Sequence, residues 1–171
     1  RELIDPRYRH SVKIHDESKD GVVVFSSDKS NSLFRVYHRG QGVKFYTYYH
    51  TAVQKKSPII PEKIVEHYAH DSNNSDLHDN YFNNGHRERQ ITVTVGDVNY
   101  HWIDPNERKH VIQTKTGDAN AINPFTRHSF TVSPGKEGFI IAVTDLGAIG
   151  NDYFQALAHS LGSERYKELM K

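Results

Sequence analysis

Hydrophobic and polar residues alternate in short runs along most of the chain, which is the pattern of half-buried β-strands. The pattern predicts strands over residues 21–26, 33–37, 43–49, 59–68, 86–95, 98–103, 109–116, 125–132 and 138–144. Turn-forming residues separate these runs, and residues 151–161 have helical spacing instead. The chain is therefore expected to be mainly β, an antiparallel sandwich or barrel with C-terminal helices.

One predicted strand begins directly after a turn signal and carries polar side chains on one face. The turn is Asn83-Asn84-Gly85, and the strand runs to Val95. Because side chains alternate along a strand, one face of it holds His86, Glu88, Gln90, Thr92 and Thr94. A row of polar groups that points one way inside a β protein is typical of the lining of a site.

Composition narrows the class of protein. The chain has 171 residues, enough for one domain, with 36% apolar residues and a net charge of +1. The scattered charges do not favour a nucleic-acid partner, and no run is long and apolar enough to cross a membrane. No cysteine is present, so thiolate metal sites are excluded. No signal peptide is apparent, and a cytoplasmic location is expected. Twelve histidines are more than is usual for this size and direct attention to metal binding.

Residue chemistry alone leaves the metal ligands open. His86 and Gln90 are four residues apart, about 13 Å along an ideal strand, so both reach one metal only if the strand start bends. Gly85 makes such a bend plausible, and His128 at the start of a later strand is the natural third ligand. By ligand chemistry Glu88 ranks ahead of Gln90, because a carboxylate binds a hard cation better than an amide does. The alternative is a set of polar wall residues that hydrogen-bond to one another.

Three separated motifs carry a resemblance to a known family. They are 46–49 (YTYY), 83–86 (NNGH) followed by 91–93 (ITV), and 117–118 (GD) leading to 124–130 (PFTRHSF). Together they resemble the catalytic cupin of the non-haem iron enzymes that cleave 2-hydroxyethylphosphonate, the family of hydroxyethylphosphonate dioxygenase and methylphosphonate synthase. The resemblance extends from about Val43 to Leu161.

The resemblance implies a fold and a domain organisation. The expected fold is an antiparallel cupin, or double-stranded β-helix (jelly-roll), barrel over residues 1–150, with a helical segment over residues 151–171 packed on it. The family also has further parts that no segment here matches, so the chain is expected to be the catalytic portion of a longer protein. A homo-oligomer is expected, with a closing lysine supplied by a missing domain or a neighbouring subunit.

The resemblance also implies a ligand set and a reaction. It overturns the preference for Glu88 and assigns Fe(II) to His86, Gln90 and His128. The dioxygenase branch has a glutamate ligand where this chain has Ile122. The other branch is therefore implied, in which Fe(II) and O2 convert 2-hydroxyethylphosphonate to methylphosphonate and carbon dioxide or bicarbonate. The alternatives are the dioxygenase products, hydroxymethylphosphonate and formate, and a non-catalytic cupin that binds a small ligand.

Supporting roles are carried over from the same resemblance. Tyr48 and Asn83 match family residues that contact the phosphonate, and Tyr48 is also placed in the catalytic set. Arg39 lies one position from the family's phosphonate-binding arginine and is expected to bind the same group. Ile122 is expected to determine the product, because an apolar side chain stands where the dioxygenases have a carboxylate.

Overall fold

A computed structural model describes residues 24–39, 43–53, 59–67, 77–145, 158–159 and 162. The helical segment expected over residues 151–171 lies almost entirely outside these ranges. The described residues form nine strands, and their bounds are β1 Phe34–Arg39, β2 Val43–His50, β3 Ile59–Glu66, β4 Arg89–Gly96, β5 Val98–Ile103, β6 Lys109–Thr114, β7 Ala119–Ile122, β8 His128–Thr131 and β9 Gly138–Asp145.

Two antiparallel sheets make up the described part of the fold. The larger has the order β1-β2-β3-β9-β4-β7, and the smaller has the order β6-β5-β8. One apolar core contains side chains of both sheets, among them Phe45, Ile64 and Ile140 from the larger and Val98 and Phe130 from the smaller. The architecture is the expected antiparallel cupin, and the barrel is open rather than closed.

Strict alternation along the central strands gives the larger sheet an inner face. In β3 the buried positions are Ile60, Glu62, Ile64 and Glu66, and in β4 Gln90, Thr92 and Thr94 are buried while Ile91 is exposed. Direct cross-strand partners lie on the same face, so the inner face can be followed from strand to strand. One such row runs through Ile60, Thr144, Gln90 and Ile122.

Two local features, at residues 24–32 and at strand β7, differ from the sequence-based prediction. Residues 24–26 are not a strand, and a short helix, α1 (Ser27–Ser32), follows them with Ser26 as its N-cap. Strand β7 was not predicted. The β1–β2 hairpin has an irregular register, with Tyr37 opposite Tyr46 and His38 opposite Lys44, so Phe45 is the extra residue of a bulge. Because of this bulge, Phe45 and Tyr46 are both buried.

A short segment before β4 covers the outer side of the smaller sheet. Leu77 and Phe82 pack with Ile103 of β5 in a second apolar cluster, and a 3-10 helix at Asp79–Tyr81 lies between the first two. This packing determines where the chain enters the polar stretch that begins at Asn83. Within the part of the chain that the structure describes, no helix is long and apolar enough to cross a bilayer.

Candidate functional site

Backbone hydrogen bonds join the two chain segments that carry the candidate histidines. The Phe125 amide donates to the His86 carbonyl at 2.7 Å, and the Asn83 amide donates to the His128 carbonyl at 3.0 Å. The Asn83 side chain adds two more bonds, accepting from the His128 amide at 3.1 Å and donating to His128 Nε2 at 2.8 Å. Two segments far apart in sequence are thereby held side by side, and we call this set of contacts the strap.

Glycine is required at position 85 by both backbone conformation and space. Gly85 has φ of +75°, in the left-handed region that side chains disfavour. A Cβ placed there would lie 2.5 Å from the backbone carbonyl carbon of Phe125. The bend predicted at Gly85 is therefore present, and strand β4 begins only at Arg89, so His86 lies in the turn before the strand. His86 therefore lies outside the strand, so the separation of about 13 Å for an ideal strand does not apply to His86 and Gln90.

The hydrogen bonds of the two histidines select their tautomers. His86 Nδ1 lies 2.8 Å from the Glu88 carbonyl oxygen, and His128 Nδ1 lies 2.8 Å from the Thr126 carbonyl oxygen. A carbonyl oxygen only accepts, so each Nδ1 carries the hydrogen and each neutral ring keeps its lone pair on Nε2. The Asn83 amide donating to His128 Nε2 agrees with this tautomer. Both imidazoles are thus oriented as metal ligands usually are.

Gln90 is oriented by a bond on its nitrogen. The Gln90 side chain is buried, and its Nε2 donates to Thr144 Oγ1 at 3.0 Å on the neighbouring strand β9. Of the two amide atoms only oxygen can coordinate a cation. The nitrogen is occupied by Thr144, so the oxygen is the atom that remains for binding.

The two imidazoles and the Gln90 amide line one small cavity. The ring centroids of His86 and His128 are 5.0 Å apart, with their planes at 86°. The cavity encloses about 50 Å³, and its lining includes Tyr48, Asn83, His86, Gln90 and His128. His128 also lines a second, wider cavity of about 890 Å³ on its other side.

An aromatic ring supports His128 from that other side. The Tyr100 ring stacks on the His128 imidazole at 6.1 Å between centroids, with 13° between the planes. Burial raises the pKa of the Tyr100 hydroxyl well above its ordinary value, so the phenol stays neutral. Tyr100 therefore adds packing against the imidazole without adding charge beside it.

Ile122 lies directly across from Gln90 on the inner face. The Cα atoms of these two residues are register partners in the β4–β7 pair, and both side chains are buried. Cross-strand partners have Cβ atoms about 5 Å apart, close enough that a carboxylate at position 122 would reach the same site. Ile122 itself lines the wider cavity together with His128.

Glu88, the rival ligand on chemical grounds, does not line the small cavity. Its side chain is buried, and its backbone carbonyl serves to orient His86. Among the residues that the structure describes, no three histidine, aspartate or glutamate side chains lie close enough together to hold a metal ion. A site of two histidines and a carboxylate is therefore not formed by this part of the chain, and Gln90 is the third group that the fold brings to the histidines.

Arg35 is a cavity residue that the sequence analysis missed. It lines the small cavity, and its Nη2 lies 3.0 Å and 2.9 Å from the two carboxylate oxygens of Glu62. The guanidinium also lies over the Tyr48 ring, 4.5 Å from its centroid. Arg35 and Tyr48 are register partners across the β1–β2 hairpin. The register of that hairpin was the signal that could have identified Arg35.

The predicted substrate-binding residues have different outcomes. Tyr48 and Asn83 both line the small cavity with the histidines, so the fold brings them to the expected place. Arg39 ends β1, and its side chain lies outside the part of the chain that the structure describes. The cationic side chain that the described residues bring to the cavity is that of Arg35.

The donor set fits a divalent metal such as Fe(II). Two imidazole nitrogens and one amide oxygen are all neutral donors, and each has its other polar atom bound to a protein group. The Asn83 side chain donates to His128 Nε2 here, so a metal would take the place of that N–H on the His128 lone pair. This arrangement resembles a facial triad in which an amide replaces the carboxylate.

Comparisons with known proteins find relatives of the chain. The chain is 34% identical over 147 residues to the methylphosphonate synthase of Nitrosopumilus maritimus (strain SCM1), a match that covers 85% of the chain and 32% of the relative. It is similar to the solved structure of Streptomyces albus HEPD with its substrate 2-hydroxyethylphosphonate and Fe(II) bound, with a TM-score of 0.71 and 31% identity, covering 85% of the chain and 33% of HEPD. The chain thus spans about a third of the length of these two relatives.

A more distant structure shares the fold. Hydroxypropylphosphonic acid epoxidase from S. wedmorenis matches with a TM-score of 0.53 and 19% identity, over 74% of the chain and 60% of the epoxidase. No protein-family signature matches the chain. Over the matched residues, the chain belongs to the cupin family that includes methylphosphonate synthase and HEPD.

Proposed function

We propose that this chain is the catalytic cupin of a methylphosphonate synthase. The reaction takes 2-hydroxyethylphosphonate and O2 to methylphosphonate, carbon dioxide and water, and the substrate supplies all the electrons that reduce O2. The observation that carries the proposal is the pairing of Gln90 with Ile122 on the inner face. An amide stands at the third ligand position, and an apolar side chain stands where the dioxygenase branch has a glutamate.

Three residues hold the iron in this proposal. His86 and His128 bind through Nε2, because their Nδ1 atoms donate to backbone carbonyls, and Gln90 binds through its amide oxygen. When bound, Fe(II) supplies coordination for the substrate oxygens and activation of O2. A neutral amide leaves the site one negative charge short of a carboxylate triad, and this favours a doubly negative phosphonate.

The phosphonate is held on the Arg35 side of the small cavity. Arg35 supplies positive charge, and the Asn83 amide, once the metal displaces it from His128 Nε2, supplies a hydrogen-bond donor. The Tyr48 ring supports the guanidinium, and the Glu62 carboxylate fixes its position. Arginine suits this role because its planar group keeps its charge and can donate several bonds to a phosphonate.

Other parts of the protein complete the site in this proposal. The two relatives are about three times as long as the chain, so most of a comparable protein lies outside it. We include in the proposal that the protein forms a homo-oligomer. We also include that a lysine from another domain or a neighbouring subunit closes the cavity over the phosphonate.

The function is tested by identifying the product of the full-length protein. The protein is loaded with Fe(II) without oxygen, mixed with 2-hydroxyethylphosphonate and O2, and analysed by phosphorus NMR. A methylphosphonate signal is expected. Hydroxymethylphosphonate as the main product would place the protein in the dioxygenase branch, and absence of any turnover would refute the enzymatic proposal.

The role of Ile122 is tested by two matched substitutions. Ile122→Glu introduces a carboxylate beside Gln90, and Ile122→Gln introduces a side chain of the same length without charge. We expect Ile122→Glu to shift product from methylphosphonate to hydroxymethylphosphonate, and Ile122→Gln to leave methylphosphonate as the main product. An unchanged methylphosphonate yield in Ile122→Glu would show that this position does not determine the product.

A further inference from the structure

Gln90, at the third ligand position, can face the metal with either end of its amide, a problem that the two histidines do not have. A side-chain amide has one end that can coordinate a cation and one end that cannot, and the two ends have almost the same shape. A carboxylate has no wrong end, because either oxygen can bind. A protein that uses Gln90 as a metal ligand therefore needs a device that turns the amide oxygen toward the cavity.

Thr144 is placed to be that device. It is the register partner of Gln90 across the β4–β9 pair, and its hydroxyl receives the amide N–H at 3.0 Å. The Thr144 side chain is 1% exposed and does not line the small cavity, so it acts on Gln90 from behind. Among the described residues, none donates a hydrogen bond to the Gln90 amide oxygen.

The packing around this pair leaves the amide few alternatives. Gln90 has Ile122 on one side in the sheet and Thr144 on the other. Isoleucine offers no hydrogen-bond partner, so the Thr144 hydroxyl is the polar group that these two neighbours present to the amide. A buried N–H without a partner is costly. With Thr144 as acceptor, the Gln90 N–H is bonded while the amide oxygen is left for the cavity that Gln90 lines with His86 and His128. Without the hydroxyl, that arrangement loses the bond that favours it.

We infer that Thr144 is a positioning residue that holds Gln90 with its amide oxygen toward the metal. This inference rests on the proposed function, because it assumes that Gln90 binds Fe(II). It adds that the amide ligand depends on a hydroxyl on the neighbouring strand. Outer hydrogen bonds of this kind typically change metal affinity by roughly 10- to 100-fold.

The test measures metal affinity and not turnover. The full-length protein and its variants are titrated with Co(II), followed by visible absorption, and Fe(II) affinity is obtained by competition. Thr144→Val keeps the shape and removes the hydroxyl, and we expect its affinity to fall by roughly 10- to 100-fold. Thr144→Ser keeps the hydroxyl and is expected to stay within about 3-fold of the parent. If Thr144→Val does not fold, Thr144→Ala makes the same comparison without the added methyl.

Repeating the Thr144 substitution in a Gln90→Glu variant distinguishes an effect on amide orientation from a general effect on packing. In Gln90→Glu either carboxylate oxygen can bind the metal, so orientation no longer matters. We expect Thr144→Val to weaken Co(II) binding by less than about 3-fold in that background. An equal loss in both backgrounds, a loss in Thr144→Ser as large as in Thr144→Val, or no loss in Thr144→Val would each overturn the inference.

Metal binding and product formation by the parent protein distinguish a failure of the proposed function from a failure of the positioning role. If it binds neither Co(II) nor Fe(II), the proposed function fails, and the positioning role fails with it. If it binds both metals and makes methylphosphonate while Thr144→Val binds as tightly, only the positioning role is wrong.

Discussion

The contact between Gly85 and Phe125 predicts that one methyl group will damage both the fold and the metal site. In Gly85→Ala the new Cβ would lie 2.5 Å from the Phe125 carbonyl carbon, and contact becomes ordinary only at 3.4 Å, so the two backbones must separate by about 0.9 Å. Phe125 cannot move this far and keep its 2.7 Å hydrogen bond to the His86 carbonyl. The substitution therefore acts on both histidine segments.

The magnitude follows from two contributions. An alanine in the left-handed conformation costs about 1–2 kcal/mol. Loss of the hydrogen bond from the Phe125 amide to the His86 carbonyl costs about 1 kcal/mol. The free energy of unfolding should fall by roughly 2–3 kcal/mol, and Tm by about 5–10 °C for a chain of this size. Because the strap positions both imidazoles, Co(II) affinity should fall by at least about 10-fold.

A second glycine provides a matched control. Gly135 has φ of +77°, close to the +75° of Gly85, and a Cβ there would meet nothing within 4 Å. Gly135→Ala should carry the backbone cost alone, about 1–2 kcal/mol, with Co(II) affinity unchanged. Thermal unfolding by circular dichroism and Co(II) titration measure both quantities. Equal losses of Tm in the two variants, with equal Co(II) affinity, would refute the role given to the strap.

Three other substitutions test separate parts of the fold. Arg35→Met leaves the buried carboxylate of Glu62 without its guanidinium and should cost about 3–5 kcal/mol in urea unfolding, most of which a second substitution, Glu62→Met, should recover. Tyr46→Phe removes a buried hydroxyl bonded to the β8 backbone and should cost about 1–3 kcal/mol, measured in the same way. Asp104 accepts from His110, which holds the Asp104 pKa below its ordinary value of 3.8. The Asp104 carboxylate should therefore stabilise the folded protein above pH 3.8, and this stabilisation should disappear as pH falls through the lowered pKa. The difference in free energy of unfolding between the parent and Asp104→Asn should be clear at pH 6 and smaller at pH 3.

Alternation predicted most of the sheet because burial on one face of a strand leaves a period of two in the sequence. Alternation did not predict the elements in which few or no residues are buried. Strand β7 has four residues, of which only Ile122 is buried, so it has too few positions to show a period. The helix α1 has no buried residue and consists of small polar residues that also form turns, so its N-cap was its main local signal.

The site depends on relations between strands that the pattern of a single strand does not contain. Arg35 reaches the cavity because hairpin register places it opposite Tyr48, a relation that spacing along one strand does not contain. Arg39 was predicted from family spacing, and its side chain lies outside the described residues. Spacing also could not choose between Glu88 and Gln90. The structure places Gln90, and not Glu88, in the lining of the small cavity. The turn at Gly85 and the bond from Gln90 to Thr144 contribute to that placement, and both depend on contacts with residues far along the chain.

The strap also has a consequence for how iron enters and leaves. Hydrogen bonds between the Asn83 and Phe125 segments join His86 and His128 through protein groups alone, so the fold does not depend on the metal to keep its ligands together. Chelation should then strip the iron from a protein that remains folded, and reloading should proceed without refolding.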